Sequence, residues 1–168
     1  MILQQIKRLK KVVASFLVLV LAGAITAMHQ PTASAFSLDA PKIIMPAQGK
    51  IVKGFTTGHY GIEITNNYGS PVLAASSGKV IQSLSSCPKF SPACGGGYGN
   101  YIIIDHGNGL NTLYSHLSQT AVKVGDKIQQ GQIIGKIGRT GKVKTDTLTN
   151  LYFEIRLNGL KQNPLNYI

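Results

Sequence analysis

The chain has 168 residues, 43% of them hydrophobic and 14% charged. It is long enough to bury one sizeable core and too short for two full-sized domains. Nineteen glycines and no tryptophan favour short strands joined by tight turns over long helices. The formal net charge of +11 favours polyanionic partners.

The first 35 residues have the profile of a signal peptide. Four cations between positions 7 and 11 precede an uncharged run from Val12 to Met28, and Ala33-Ser34-Ala35 provides the small residues that a signal peptidase requires. We therefore predict a signal peptide over 1–35, a mature chain that starts near Phe36, and a short linker over 36–45. As a helix the run would be roughly 26 Å long, slightly short of a hydrocarbon core of about 30 Å, so a retained anchor is the second alternative.

Export changes how the positive charge is interpreted. Removal of the four cations would leave a net charge of +7 (+11 minus 4) on the mature chain. In the periplasm, the cell wall or the extracellular space, the available polyanions are wall polymers and lipid headgroups, so nucleic acid is not an expected partner. Membrane contact is expected only if the N-terminal segment is retained.

From Ala40 onward, apolar residues recur with period two or in short runs bounded by Gly, Asn, Ser and Pro, without sustained helical spacing. This pattern predicts an all-β domain over 46–168. Short turns such as Asn158-Gly159 imply antiparallel pairing. The predicted strands are Lys50 to Phe55, Tyr60 to Thr65, Pro71 to Ala74, Gly78 to Leu84, Asn100 to His106, Asn111 to His116, Gln132 to Ile137 and Leu151 to Leu157.

Cys87 and Cys94 are the only thiols, and both lie in one loop that contains proline and glycine. In an oxidising compartment we expect a disulfide between them. Closing so short a loop is worth roughly 2.5 kcal/mol, which would pin the loop rather than hold the core. Their spacing does not fit a zinc knuckle.

Few residues in the mature chain could carry chemistry. His59 and Glu63 are separated by four residues, so on a strand their side chains would share one face and could converge on one ion. Alone, this pair is more often a solvated strand face.

The order of motifs changes that interpretation. His59-Tyr60-Gly61-Ile62-Glu63, the strand from Gly97 to Gly107, Tyr114-Ser115-His116-Leu117 and Gly131-Gln132-Ile133-Ile134-Gly135 follow one another as in the lysostaphin-type (LytM-like) zinc peptidases of the bacterial cell wall. The chain resembles this family from Pro46 to Tyr167. The resemblance implies a single antiparallel β-sheet or sandwich domain of the duplicated hybrid motif kind. It also implies zinc ligands at the positions of His59 and Glu63, with an active-site His at His116.

The closing element departs from the family. The family has His-x-His followed by Phe-Glu, in which the second His completes the zinc site and the first handles protons. Here Asn150 and Tyr152 stand at the two His positions, and Glu63 replaces an Asp. Peptide hydrolysis by zinc needs three protein ligands and one open position. Tyr152 could ligate only as a phenolate, and Asn150 cannot exchange a proton.

The resemblance therefore implies an exported wall protein with a metalloendopeptidase-like domain that is noncatalytic or weakly active. Such a domain would bind peptidoglycan or regulate a wall hydrolase, and the replaced ligands argue against zinc. The alternative is an active endopeptidase that cleaves peptidoglycan cross-bridges with His59, Glu63 and Tyr152 on zinc. A structural envelope protein is a third interpretation, in which His116 only forms hydrogen bonds between strands.

Overall fold

The computed structural model describes residues 42–143 and 149–168. The predicted signal peptide and its cleavage site lie outside the described residues, so the domain boundaries stay a prediction. None of the helices in the two described ranges is long and apolar enough to cross a membrane.

The described residues form ten strands, and the predicted all-β class is confirmed. The strands pair antiparallel throughout, and two short 3₁₀ turns accompany them, at Cys94–Gly97 and Pro164–Asn166. The strands are β1 (Lys50–Lys53), β2 (Ile62–Thr65), β3 (Pro71–Leu73), β4 (Gly78–Leu84), β5 (Asn100–Asp105), β6 (Leu110–Thr120), β7 (Lys127–Ile128), β8 (Ile133–Ile137), β9 (Asn150–Leu157) and β10 (Leu160–Gln162).

Seven of the eight predicted strands are found with ends shifted by at most two residues, and three elements differ by more. Strands β7 and β10 were not predicted, because two or three residues are too few to show an alternation. Strand β6 continues to Thr120 instead of ending at His116, because it changes partner on the way. Its first half pairs with β9 as far as Ser115, and its second half pairs with β8 from Leu117 onward.

The strand order is β1-β2-β9-β6-β5-β4-β7, with β10 on β9 and β8 joining β3 to β6. Strand β9 therefore lies between β2 and β6, near the middle of the path. Its alternate residues Leu151, Phe153 and Ile155 are fully buried in the main core, and burial of each such side chain is worth about 1.5–3 kcal/mol. The opposite face of β9 begins with Asn150 and Tyr152.

Tyr114 lies in the same core with its hydroxyl fully buried. The hydroxyl accepts a hydrogen bond from the Ala75 backbone N–H at 2.8 Å, and it shares another of 2.8 Å with the Thr112 hydroxyl. Burial raises the pKa of the Tyr114 phenol to about 12, because the charged form would be desolvated.

Candidate functional site

Strand pairing places the β2 and β9 site residues side by side. Glu63 lies directly opposite Tyr152, and Thr65 lies opposite Asn150. Because side chains alternate along a strand, Asn150 and Tyr152 share one face of β9. That face turns away from the core that Phe153 enters.

His59 reaches the same place from the turn before β2. The turn is closed by hydrogen bonds between the backbones of Thr56 and His59, each 2.9 Å. The His59 Nε2 atom lies 3.7 Å from Glu63 Oε1, and its ring centroid lies 5.4 Å from that of Tyr152. Nε2 is buried and has no hydrogen-bond partner among the described residues. Burial lowers the pKa of His59, and Lys53 adds to the shift, so the neutral imidazole is favoured.

A glycine permits this close arrangement. A Cβ at Gly61 would lie 2.5 Å from the Phe153 carbonyl oxygen and 2.7 Å from Cζ of Tyr152. Both distances are far below van der Waals contact, so a larger residue would push β2 away from β9 or displace the Tyr152 ring.

His116 sits where β6 changes partner and has a left-handed backbone with φ of 64°. Its backbone N–H donates to the Tyr98 carbonyl at 2.9 Å, and its Nδ1 donates to the Thr140 carbonyl at 3.0 Å. Since a carbonyl can only accept, Nδ1 carries the proton and Nε2 is the nitrogen left for the cleft. Burial is the main cause that lowers the pKa of His116.

Asn150 binds the carboxylate that a zinc ion would need. Its Nδ2 donates to Glu63 Oε2 at 3.0 Å, and the ammonium of Lys53 lies 3.8 Å from Glu63 Oε1. Both oxygens of Glu63 therefore already face positive or donor groups. Asn150 Oδ1 is buried without a partner in the described part of the chain.

Tyr152 is bound to a second carboxylate, Glu154, which is fully buried. The Tyr152 hydroxyl donates to Glu154 Oε2 at 2.9 Å, and the hydroxyl of Tyr98 lies 3.4 Å from the same oxygen. Arg156 Nε donates to Oε1, and Lys161 Nζ lies 3.3 Å from Oε2. Desolvation, with the nearby Glu154 charge, raises the pKa of Tyr152 far above its ordinary value.

These contacts decide whether zinc fits. Tyr152 would have to lose a proton that the Glu154 carboxylate holds in place, and its raised pKa opposes that loss. That leaves His59 and Glu63 as the available ligands of the three that the resemblance implies. No cluster of three or more His, Cys, Asp or Glu suited to a metal occurs within 42–143 and 149–168. The donor set does not fit a zinc site.

The five residues border one cleft of about 1260 Å³, together with Lys53, Tyr98, Arg139, Lys142 and Lys161. The structure thus brings together all five candidate site residues that the sequence singled out outside the disulfide. Sequence reasoning missed the group around Glu154. Period two from Asn150 would have placed positions 152, 154 and 156 on the same face, which was the available signal.

The predicted disulfide is confirmed, because Cys87 and Cys94 are bonded. The loop that it closes is hydrogen-bonded to a residue of the cleft lining. Phe90 donates its backbone N–H to the Arg139 carbonyl at 2.9 Å, and Lys142 donates to the Gly97 carbonyl at 2.7 Å. The cross-link therefore supports the segment that leads into Tyr98.

The profile described as peptidase family M23 matches residues 57–164, and the chain belongs to this family. The lysostaphin-type resemblance is thereby confirmed.

Among sequence relatives, the Murein hydrolase activator NlpD of Salmonella dublin is 32% identical over 144 residues, which are 83% of this chain and 35% of that protein. The Peptidoglycan DD-endopeptidase ShyC of Vibrio cholerae is 36% identical over 124 residues, 74% of this chain and 25% of that protein. The chain thus spans about a third or less of the length of these relatives.

Solved structures show the same fold. The catalytic domain of lysostaphin from Staphylococcus simulans superposes with a TM-score of 0.54 at 34% identity, covering 76% of this chain and 91% of that one. A zinc-containing peptidase from Vibrio cholerae superposes with a TM-score of 0.62 at 28% identity, covering 74% and 39%. Zinc is therefore found in a similar protein, whereas the donor set of this chain does not fit it.

Proposed function

We propose that this chain is an exported, noncatalytic M23 protein that binds peptidoglycan or regulates a wall hydrolase through the cleft. One observation carries the proposal: the Tyr152 hydroxyl donates to the buried Glu154 carboxylate, so the third zinc ligand is missing. The similarity to a protein named as a murein hydrolase activator supports a regulatory role. Relatives named as lipoproteins in Haemophilus influenzae and Pseudomonas aeruginosa support export.

In this proposal each site residue has a binding role. His59 and His116 present imidazole nitrogens to the ligand, and Asn150 offers an amide oxygen. Glu63 orients Asn150 through the 3.0 Å hydrogen bond. Tyr152 acts as a neutral aromatic surface, because its pKa is raised.

The alternative is a zinc endopeptidase with His59, Glu63 and Tyr152 as ligands. Two observations favour it: His59 Nε2 has no hydrogen-bond partner within 42–143 and 149–168, and the chain is similar to a named endopeptidase. The two functions differ in metal content and in turnover, so one comparison separates them.

The experiment measures zinc in the purified protein by mass spectrometry and the clearing of a peptidoglycan suspension, beside a His59→Ala variant. We expect substoichiometric zinc and no clearing in either protein. Stoichiometric zinc with clearing that depends on His59 would establish the endopeptidase instead. Sedimentation with insoluble peptidoglycan, alone and with wall hydrolases added, tests binding and regulation. If the protein is not retained above background and does not affect hydrolysis, the structural envelope protein is the interpretation that remains.

A further inference from the structure

Two exposed aromatic side chains lie on neighbouring loops outside the cleft. Tyr68 is 49% exposed and Phe90 is 39% exposed, and neither lines the cleft. Both loops are bound to the end of β8 and the residues that follow it. Gly69 donates its backbone N–H to the Ile137 carbonyl, and Phe90 donates to the Arg139 carbonyl, each at 2.9 Å. The two aromatic side chains are therefore carried by loops that share one support.

Phe90 has a backbone conformation that an aromatic residue rarely adopts. Its φ is 54°, in the left-handed region, where the Cβ of any residue but glycine is crowded. Such strain persists only where the surrounding structure enforces it, and it is found mainly at functional sites. The disulfide between Cys87 and Cys94 closes the loop around Phe90 and restricts the conformations that the loop can adopt. The loop therefore holds a partly exposed aromatic ring at the surface.

The described part of this surface is positively charged. Lys89 places its ammonium 4.7 Å from the ring centroid of Tyr68, which joins the two loops. Tyr68, Lys89 and Phe90 together are called the basic aromatic patch. Lys136, also exposed, flanks it on β8, where it lies opposite Pro71. Over the residues that the structure describes, neither lysine pairs with a carboxylate.

An anionic phospholipid surface matches the basic aromatic patch better than the alternatives do. It offers phosphates at its surface and an apolar layer beneath them, in which aromatic side chains lie about 5–10 Å deep. Cations and rings can therefore be accepted together. A phosphate polymer in water could bind the lysines but would leave the rings exposed. A second copy of the chain would bring like charges together, which disfavours it.

From these contacts we infer that the folded domain docks on an anionic phospholipid surface through the basic aromatic patch. The rings of Phe90 and Tyr68 enter the headgroup layer, and Lys89 lies against the phosphates. This contact does not require the N-terminal segment to be retained, which the sequence alone makes the condition for membrane contact. It goes beyond the proposed function, because no residue of the patch lines the cleft.

Co-sedimentation with large unilamellar vesicles tests the inference. Vesicles of equal parts phosphatidylglycerol and phosphatidylcholine are compared with vesicles of phosphatidylcholine alone. Every protein has the same N-terminus, so that differences between variants report on the patch. We expect binding to the anionic vesicles to be at least about tenfold stronger, and raising the salt concentration should weaken it.

The variant Phe90→Asn separates a docking role of the ring from a role in folding. Asparagine tolerates the left-handed backbone, so relief of the strain should offset the packing lost with the ring and leave the urea midpoint nearly unchanged. Vesicle binding should fall about tenfold, because no apolar ring enters the interface. Val124→Asn is the matched control. Val124 is 60% exposed on the loop between β6 and β7, and its replacement should leave binding unchanged.

The variant Lys89→Gln tests the charge without changing the strained residue. It should weaken binding to the anionic vesicles about fivefold, the effect of one cation at such a surface. Lys127→Gln is its control, because it removes the same charge from β7, outside the patch, and should leave binding nearly unchanged.

Three results would overturn the inference: no preference for anionic vesicles, equal effects of Phe90→Asn and Val124→Asn, or equal effects of Lys89→Gln and Lys127→Gln. If soluble polyphosphate binds and Phe90→Asn binds vesicles like the parent, the lysine serves a phosphate polymer and the inference is likewise wrong. None of these results alters the zinc and clearing measurements, so failure here is distinguishable from failure of the proposed function.

Discussion

The two sides of the cleft differ in how their polar groups are used. The histidine side consists of His59 and His116. The Nε2 atom of His59 has no hydrogen-bond partner among the described residues. His116 binds the Thr140 carbonyl through Nδ1, which leaves its Nε2 atom available. The β9 side consists of Asn150 and Tyr152, each of which donates to a carboxylate of the protein itself.

This difference shows that replacing two histidines did more than remove ligands. A histidine at 150 or 152 could offer a lone pair to a metal, whereas the amide and the phenol present here act as donors. Asn150 donates to the carboxylate that remains, and Tyr152 donates to Glu154. The donor groups of the β9 side are therefore bound within the protein, although Asn150 Oδ1 is buried without a partner among the described residues. The histidine side presents ring nitrogens that are still open to a ligand.

Restoring both histidines on the β9 side should have the largest effect. In the variant Asn150→His with Tyr152→His, we expect zinc content to rise to about one ion per chain. The affinity should exceed that of the parent by more than about 100-fold, because a side chain bonded directly to the metal matters more than one that only orients a ligand. Mass spectrometry after dialysis against zinc measures it. His59→Ala in this background should remove the zinc, and unchanged zinc content in the double variant would contradict our account of the site.

Neutralising Glu154 should be the next largest effect. Glu154→Gln would leave Arg156 and Lys161 without their shared carboxylate, and we expect the free energy of unfolding to fall by about 3 kcal/mol, the low end for breaking a buried pair. Urea denaturation gives the value. Asp126→Asn, on a loop where the side chain accepts one backbone N–H, should cost less than about 1 kcal/mol. Similar losses in the two variants would show that the Glu154 group is not a special stabilising feature.

The two sides should respond to opposite changes of pH. The lowered pKa values of His59 and His116 mean that the unfolded chain binds more protons below about pH 6.5, so stability falls as the solution becomes acidic. The raised pKa values of Tyr152 and Tyr114 mean that the unfolded chain loses protons first above about pH 10, so stability falls again.

The fraction unfolded at a fixed urea concentration, followed across the pH range, measures the fall in stability at acidic pH and at alkaline pH. Tyr152→Phe should make the fall in stability above about pH 10 less steep, because the core residue Tyr114 is the raised phenol that remains, and should leave the fall at acidic pH unchanged. A less steep fall at acidic pH in this variant would show that the two sides are coupled.

The smallest expected effect concerns the single hydroxyl of Tyr152. Tyr152→Phe removes its bond to Glu154, and we expect a loss of about 1–2 kcal/mol in unfolding free energy. Zinc content should stay as low as in the parent protein, because the phenol does not serve as a ligand. A fall in bound zinc would instead identify Tyr152 as one.

Much of this structure could be predicted from residue order. The alternation of apolar residues predicted the all-β class. The disulfide was predicted because Cys87 and Cys94 are the only thiols of the sequence and lie in one loop of a chain expected to be exported. The motif order brought His59, Glu63 and His116 into one site with Asn150 and Tyr152. These features depend on local pattern or on family resemblance, both of which a sequence carries directly.

The rest depends on contacts between distant segments. Lys161 meets Glu154 because β10 folds back on β9, and a three-residue strand leaves too little pattern to predict that pairing. Lys53 meets Glu63 through a register shift in the β1–β2 pair. The donor role of Tyr152 depends on the burial of Glu154. The periodicity of β9 places Glu154 on the same face as Tyr152, but it does not show that the carboxylate is buried.

The left-handed backbone at His116 separates the shape of the cleft from its chemistry. The residue joins the part of β6 that pairs with β9 to the part that pairs with β8, at a strain cost of about 1 kcal/mol or more for a side chain larger than glycine. Any residue at this position must adopt the same bend for both halves of the sheet to pair. Asparagine tolerates that conformation well, so His116→Asn would keep the cleft walls in register while deleting the imidazole. A ligand that still binds this variant is recognised by the walls alone.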